Sequence, residues 1–137
     1  MGDPEKLATG VKWHDGKPFT SADVAFTYRR FLDPAFVSGR KGAYKMIRAV
    51  DVVDRYTVRL KTAAPYGALL QDLAEVLIVS KRAAARATGD DFDRGRATVG
   101  TGPFRLARFA RGARARRCRR PNGRPMRPAV SMRRWAS

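Results

Sequence analysis

Residues 10–31 read GVKWHDGKPFTSADVAFTYRRF, and this stretch decides the predicted fold. Its first part, residues 11–14, alternates apolar and polar side chains with the period of a half-buried strand. The dipeptide Asp15-Gly16 follows, and it tolerates the positive φ angles that a tight turn requires. The stretch therefore predicts a short strand that turns sharply before the next element begins.

The second half of the stretch predicts a helix with a defined start. Thr20 is placed to cap this helix, and Asp23, three residues later, can reach back to the Thr20 backbone in a capping box. Phe19 and Val24 occupy the two positions of a hydrophobic staple. Pro34 ends the helix, because proline disfavours helical geometry in the residue before it.

The rest of the chain predicts shorter elements around this helix. Strands at residues 50–53 and 56–61 alternate apolar and polar side chains and form the simplest hairpin. The other predicted elements are a helix at 66–74, a buried strand at 76–79, a helix at 81–88 ended by Gly89, a charged loop at 90–98, and a strand at 104–109 after a Gly/Pro turn. Together they predict the α/β class.

The charge of the chain is unevenly distributed. The net charge is +17, and 12 of the 29 basic residues lie in residues 105–137, which contain no Asp or Glu. Such a basic segment on its own is typical of an arm that binds nucleic acid or an anionic membrane. No apolar run approaches the roughly 18 residues of a membrane-spanning helix. Cys118 is the only cysteine, so an intrachain disulfide is excluded.

Three segments in order carry a resemblance to a known family. They read GVKWHDGKPFTSADVAFTYRRFLDP, IRAVDVVDRYTVRLKTAAPYGALLQDLA and VGTGPFRLARFARG. They resemble the extracellular solute-binding proteins of family 5, the peptide- and nickel-binding components of ABC importers. The resemblance implies a partial lobe of the periplasmic-binding-protein type II-like fold, a small mixed sheet with helices. It assigns residues 1–9 to a loose N-terminus and residues 10–111 to the partial lobe.

The same resemblance implies a non-catalytic function. A full-length member captures a peptide or another small solute and delivers it to an ABC permease in the membrane, without a cofactor. The implied location is periplasmic or extracellular and membrane-associated, although the first residues of this chain lack the apolar region of a signal peptide. Since the resemblance covers a minor part of a full-length member, we expect a truncated fragment with little or no binding activity. No nucleic-acid partner is expected.

Two residues are the candidate ligand contacts. Tyr44 stands between the first helix and the hairpin, where the resemblance implies that aromatic side chains line the ligand cleft in some relatives; an amphipathic ring there can cover a peptide backbone. A place for Tyr44 in the core is the alternative. Glu75, between the helix at 66–74 and the following strand, is the second candidate.

Two other motifs suggest chemistry that the sequence does not support. His14-Asp15 resembles a metal-binding His-Asp pair, but that chemistry needs further histidines and His14 is the only one. The segment from Gly95 to Thr101 has the glycine spacing of a phosphate-binding P-loop without its lysine. We therefore predict that both motifs are turns, and we predict no catalytic or metal site. Asp90-Asp91 and Asp93 are interpreted as solvated carboxylates in a loop.

Residues 112–137 differ from the rest of the chain in composition. Nine of these 26 residues are Arg, and the hydrophobic periodicity disappears. We expect this Arg-rich tail to be disordered, because it lacks apolar surface to offset the entropy of ordering. Out-of-frame translation is one hypothesis for it. A genuine basic arm is the other, which makes a small basic nucleic-acid-binding protein the alternative function.

Overall fold

A computed structural model describes residues 4–36, 46–109 and 115–119. These residues divide into two compact units. The elements of the first unit are β1 (Pro4–Lys6), α1 (Ser21–Leu32), β2 (Ile47–Asp54), β3 (Thr57–Thr62) and α2 (Leu69–Ala74). The second unit contains residues 10–19 together with α3 (Lys81–Ala84), α4 (Gly89–Asp93), β4 (Phe104–Phe109) and β5 (Ala115–Arg119).

The first unit is built on a three-stranded antiparallel sheet in the order β1-β3-β2. The predicted hairpin is present, with Val50 paired to Leu60 and Val52 paired to Val58. Helix α1 packs on β2 and β3. The core of this unit is apolar, and its buried side chains include Val24, Tyr28, Val50, Val58 and Leu60.

The start of α1 is fixed by the predicted capping box and by one contact that the sequence did not reveal. The Asp23 carboxylate accepts hydrogen bonds from the Thr20 backbone N–H at 3.0 Å and from Thr20 Oγ1 at 3.4 Å. Ser21, which is buried, donates its hydroxyl to the Asp54 carbonyl at 2.6 Å and its N–H to the Arg55 carbonyl at 3.0 Å. Helix α1 is therefore bound to the β2–β3 turn at its first residue.

Replacing Thr20 with Ala should lower the free energy of unfolding by about 1 kcal/mol, the usual cost of a lost helix cap. The measurement is the midpoint of urea unfolding of the full 137-residue chain. Thr20→Ser is the matched control, because it keeps a hydroxyl at the cap. An Ala variant with the wild-type midpoint would show that the Asp23 carboxylate holds the helix start without the Thr20 hydroxyl.

Residues 11–14 do not form the predicted strand. Only Lys12 takes part in a bridge, with Pro18, and the Trp13 N–H donates to the Lys17 carbonyl at 2.8 Å. The predicted turn is present, since Gly16 has a φ of 82°. The chain folds back so soon after this turn that the ladder stays one bridge long, and Pro18 has no N–H with which to extend it.

The N-terminal segment and part of the tail are more ordered than the sequence indicated. Residues 1–9 were expected to be loose, but β1 pairs with β3 through Pro4 and Arg59. Residues 115–119, inside the tail expected to be disordered, form β5 and pair with β4. Neither strand has an alternating apolar pattern in its sequence, which reads PEK in β1 and ARRCR in β5. Every residue of β5 is also exposed. Both strands depend on a partner strand that sequence periodicity cannot identify.

Three predictions between residues 76 and 98 were wrong: the strand at 76–79, the extent of the helix at 81–88, and the charged loop at 90–98, whose first residues lie in α4. Residues 76–79 form no strand, and Leu77 is 82% exposed, so the apolar run has no strand partner among the described residues. The helix predicted at 81–88 ends at Ala84, and Gly89 begins α4 instead of ending a helix. The reason is local: Thr88 and Asp91 form a capping box that starts a new helix.

Candidate functional site

The side chain of His14 joins two distant parts of the second unit. Its Nδ1 accepts a hydrogen bond from the Gly100 N–H at 3.1 Å, and its Nε2 lies 2.9 Å from the Gly102 carbonyl oxygen. The backbone N–H of His14 also donates to the Gly100 carbonyl at 2.9 Å. These partners assign the proton to Nε2, because Nδ1 must accept and a carbonyl can only accept. We call this arrangement the His14 clamp.

The His14 clamp explains the His-Asp motif without metal chemistry. Both ring nitrogens are engaged by the turn at residues 100–103, so a metal ion would have to displace one of these hydrogen bonds. Within the described ranges, no group of three His, Cys, Asp or Glu side chains could hold a metal ion. The role of His14 that this geometry supports is to hold the turn.

The space beside Gly100 is limited by the ring of His14, and the φ angle of Gly100 is not positive. A Cβ added to Gly100 would lie 3.2 Å from Cε1 of His14, whereas one added to Gly102 would meet nothing within 4 Å. Neither glycine has a positive φ angle. Among the described glycines, a positive φ angle is found at Gly10, Gly16 and Gly95. For Gly100 the physical reason for a glycine is therefore the close approach of an imidazole ring and not a positive φ angle.

The structure places one of the two predicted ligand contacts. Glu75 caps the C-terminus of α2 and is exposed, and Tyr44 lies outside the described residues. Next to Glu75, the Tyr66 hydroxyl donates to the Asp72 carboxylate at 2.8 Å, and this hydrogen bond raises the pKa of Tyr66. Leu77 follows two residues later and is exposed. This surface, formed by Glu75, Leu77 and the Tyr66–Asp72 pair, is the candidate site, and we call it the α2 surface.

The α2 surface can recognise a solute in two ways. The Glu75 carboxylate can accept hydrogen bonds from an ammonium or amide group, and Leu77 can cover an apolar part of the same solute. No side chain on this surface is arranged as a nucleophile next to a base. The sequence pointed to Glu75 but not to Leu77, which it assigned to a buried strand.

Of the acidic residues of α4, Asp90 and Asp93 are exposed and Asp91 is half-buried, and Asp90 and Asp91 are ion-paired. Asp90 pairs with Arg94 at 2.8 Å and with Arg96 at 2.9 Å, and Asp91 pairs with Arg96 at 2.7 Å. The Asp91 carboxylate also accepts the Thr88 backbone N–H at 2.9 Å. The pKa of Asp91 is lowered to about 2. The largest cause is this backbone hydrogen bond, and the second largest is the hydrogen bond from the Arg96 side chain.

The Thr88–Asp91 cap should therefore be lost only in strong acid. Because folding lowers the pKa of Asp91, the cap contributes fully above about pH 4 and is lost as the pH falls through about 2. The measurement is an NMR titration of the Thr88 amide proton, which should change with a midpoint near the pKa of Asp91. Asp91→Asn is the control and should abolish the titration. A midpoint at the ordinary carboxyl pKa would contradict the capping geometry.

None of the helices in the described part of the chain is long and apolar enough to cross a membrane.

Known proteins resemble this chain over most of its length. The family described as "Bacterial extracellular solute-binding proteins, family 5 Middle" matches residues 6–128. A glutathione-binding protein of Pectobacterium atrosepticum is 35% identical over 102 residues, which are 74% of this chain and 20% of that protein. A putative ABC transporter peptide-binding protein of Brucella ovis is 29% identical over 103 residues, 72% of this chain and 20% of that protein.

A solved structure shows the same fold. The oligopeptide-binding protein AppA from Bacillus subtilis, in complex with a nonapeptide, superposes with a TM-score of 0.68 at 28% identity. The superposition covers 80% of this chain and 23% of that one. The predicted fold class, a partial lobe of the periplasmic-binding-protein type II-like fold, is confirmed. The chain spans about a fifth of the length of the curated relatives it matches.

Proposed function

The chain belongs to family 5 of the bacterial extracellular solute-binding proteins, and from this premise we propose that it serves the capture of a peptide or related small solute and its delivery to an ABC permease. The observation that carries the proposal is the family match over residues 6–128. Peptide-binding and glutathione-binding relatives support this class of solute. The proposed location is periplasmic or extracellular and associated with the membrane.

The proposed role is binding and not catalysis. The family consists of solute-binding proteins, and the α2 surface offers a carboxylate and an exposed apolar side chain, which are means of recognition. Glu75 is the proposed contact for a positively charged or N–H group of the solute. Tyr44 is the second proposed contact, through the face of its ring. The nucleic-acid-binding alternative receives no support from the relatives named above, none of which is described as a nucleic-acid-binding protein.

We further propose that these 137 residues have little or no affinity for the solute on their own. A site of this family closes between two lobes, and closure of both lobes removes the solute from water. An exposed surface such as the α2 surface leaves most of a bound peptide solvated. Recognition of the solute therefore needs more surface than this chain contains.

The test uses a chimera in which this chain replaces its matching part in AppA of Bacillus subtilis, the protein solved with a nonapeptide. Calorimetric titration of the chimera with the nonapeptide should show saturable binding, and the isolated chain should show none. In the chimera, Glu75→Gln should weaken binding about tenfold, since a hydrogen bond to a charged group contributes about 1.5 kcal/mol.

Asp93→Asn is the matched control for Glu75→Gln, because it removes an exposed carboxylate of α4 in the other unit. It should leave the affinity unchanged. A folded chimera that binds no nonapeptide would contradict the proposed function. Binding that is insensitive to Glu75→Gln would contradict only the proposed contact.

A further inference from the structure

The hairpin of β4 and β5 has two different faces. In its register Arg105 pairs with Cys118 and Arg108 pairs with Arg116, and the irregularity at residue 107 keeps these side chains on one face. The other face contains Phe104, Leu106 and Phe109 of β4 and, opposite them, Arg119, Arg117 and Ala115 of β5. Residues that are directly opposite in an antiparallel pair share a face and lie about 5 Å apart at Cβ. Arg105, Arg108 and Arg116 therefore form one surface, which we call the arginine face.

Part of the other face of the hairpin packs against the turn at Gly95 within the second unit. A Cβ added to Gly95 would lie 2.8 Å from Cδ2 of Leu106 and 3.1 Å from Cβ of Phe109. These two side chains thus cover the turn at Gly95, whose φ is 74°. The arginine face points the other way, and all three of its arginines are exposed.

Within the described residues, no carboxylate is recorded as an ion-pair partner of the arginine face. Arg108 and Arg116 are like charges in directly opposite positions, an arrangement that weakens strand pairing. None of the three arginines has an ion pair with a carboxylate in the described ranges. The carboxylates of Asp90 and Asp91 are engaged by Arg94 and Arg96, and no Asp or Glu follows Asp93 in the sequence. An external anion bound at this face would relieve this repulsion.

We propose that the arginine face docks on a membrane surface of anionic phospholipid. Guanidinium groups bind phosphate oxygens by paired, charge-assisted hydrogen bonds, and each basic side chain near an anionic bilayer adds to the attraction. The choice of lipid over nucleic acid rests on the extracellular, membrane-associated location proposed above.

The test is co-sedimentation of the full chain with vesicles of equal parts phosphatidylglycerol and phosphatidylcholine. Changing Arg105, Arg108 and Arg116 together to Gln should lower the apparent affinity roughly a hundredfold at low salt, since each basic side chain contributes roughly a factor of five. The matched control changes Arg48, Arg59 and Arg82 to Gln, which removes the same charge from exposed positions elsewhere. The apparent vesicle affinity of this control should fall only a few-fold.

A second variant separates docking from loss of the hairpin. Changing the same three arginines to Lys keeps the charge and should retain most of the vesicle affinity, because a lipid surface needs positive charge more than a fixed fork of donors. Equal losses in the Gln variant and its matched control would overturn the proposal. The proposal would also be overturned if the Lys variant lost as much vesicle affinity as the Gln variant.

Two further measurements identify the anion and the solute site separately. If the Gln variant at the arginine face keeps vesicle binding but loses a labelled single-stranded oligonucleotide, the partner is a nucleic acid and the lipid proposal is wrong. If the wild-type chain binds pure phosphatidylcholine vesicles as strongly as it binds the mixed vesicles, the lipid proposal is also overturned. The AppA chimera reports solute binding independently, so failure of vesicle docking and failure of the proposed function can be distinguished.

Discussion

Replacing Phe19 with Ala is expected to lower the free energy of unfolding of the full chain by about 3–5 kcal/mol, the usual cost of removing a buried phenyl ring. Phe19 is 1% exposed and belongs to the core of the second unit. Its ring lies 5.6 Å from that of Trp13, centroid to centroid, at an interplanar angle of 57°. The Ala variant loses both the apolar burial and this aromatic contact.

The measurement is the midpoint of urea unfolding, followed by near-ultraviolet circular dichroism of the Trp13 environment. Phe19→Leu is the matched control, because it keeps most of the apolar volume and should cost much less than the Ala variant. Since a domain of this size has a total stability of about 5–15 kcal/mol, the Ala variant should lose a substantial part of it. A loss below about 1 kcal/mol would show that Phe19 is not part of a packed core.

Removing the His14 clamp should have the second-largest effect. His14→Ala removes two side-chain hydrogen bonds and leaves the Gly100 N–H and the Gly102 carbonyl without these partners. We expect a loss of about 2–4 kcal/mol, since each net hydrogen bond contributes about 1 kcal/mol and a buried unpaired group costs about 1–3 kcal/mol. The half-buried position of His14 favours the lower part of this range.

A double-mutant cycle tests the contact between His14 and Gly100 specifically. Gly100→Ala alone should destabilise the protein, because its Cβ would lie 3.2 Å from the imidazole. In the His14→Ala background the same change should be nearly neutral, since the ring is gone. Gly102→Ala is the matched control, with no atom within 4 Å of the new Cβ. Additive effects of the His14 and Gly100 changes would contradict the clamp.

Elements specified by neighbouring residues could be predicted from the sequence. The capping box of Thr20 and Asp23 involves residues three apart, and the β2–β3 hairpin was indicated by alternating apolar side chains on β3 together with the valines of β2. The turn at Gly16 needs only its own dipeptide. In these cases the energetically important contacts lie close along the chain, where propensity and periodicity report them.

Elements that depend on distant partners could not be predicted in this way. Strand β1 is three residues long and exists through its pairing with β3, more than fifty residues away. The apolar residues 76–79 were assigned to a strand, but apolar character alone does not provide a strand partner. The basic composition of β5 concealed a strand that pairs through its backbone.

The candidate site was predicted only in part. Glu75 was predicted as a ligand contact and lies exposed at the end of α2, but no sequence pattern indicated that Leu77, two residues later, would also be exposed. The partners of His14 lie 86 and 88 residues away, beyond the range of any local pattern. The pairing of a single histidine with a Gly-Thr-Gly-Pro turn is the one sequence signal that could have suggested the clamp.

The most direct test of the account is the crystal structure of the AppA chimera with its nonapeptide. The account predicts that the inserted residues keep the β1-β3-β2 sheet and the His14 clamp, and that the Glu75 carboxylate lies within about 3 Å of a peptide N–H or ammonium group. A structure in which the inserted residues keep this fold but none of them contacts the nonapeptide would contradict the claim that this chain contributes to solute capture.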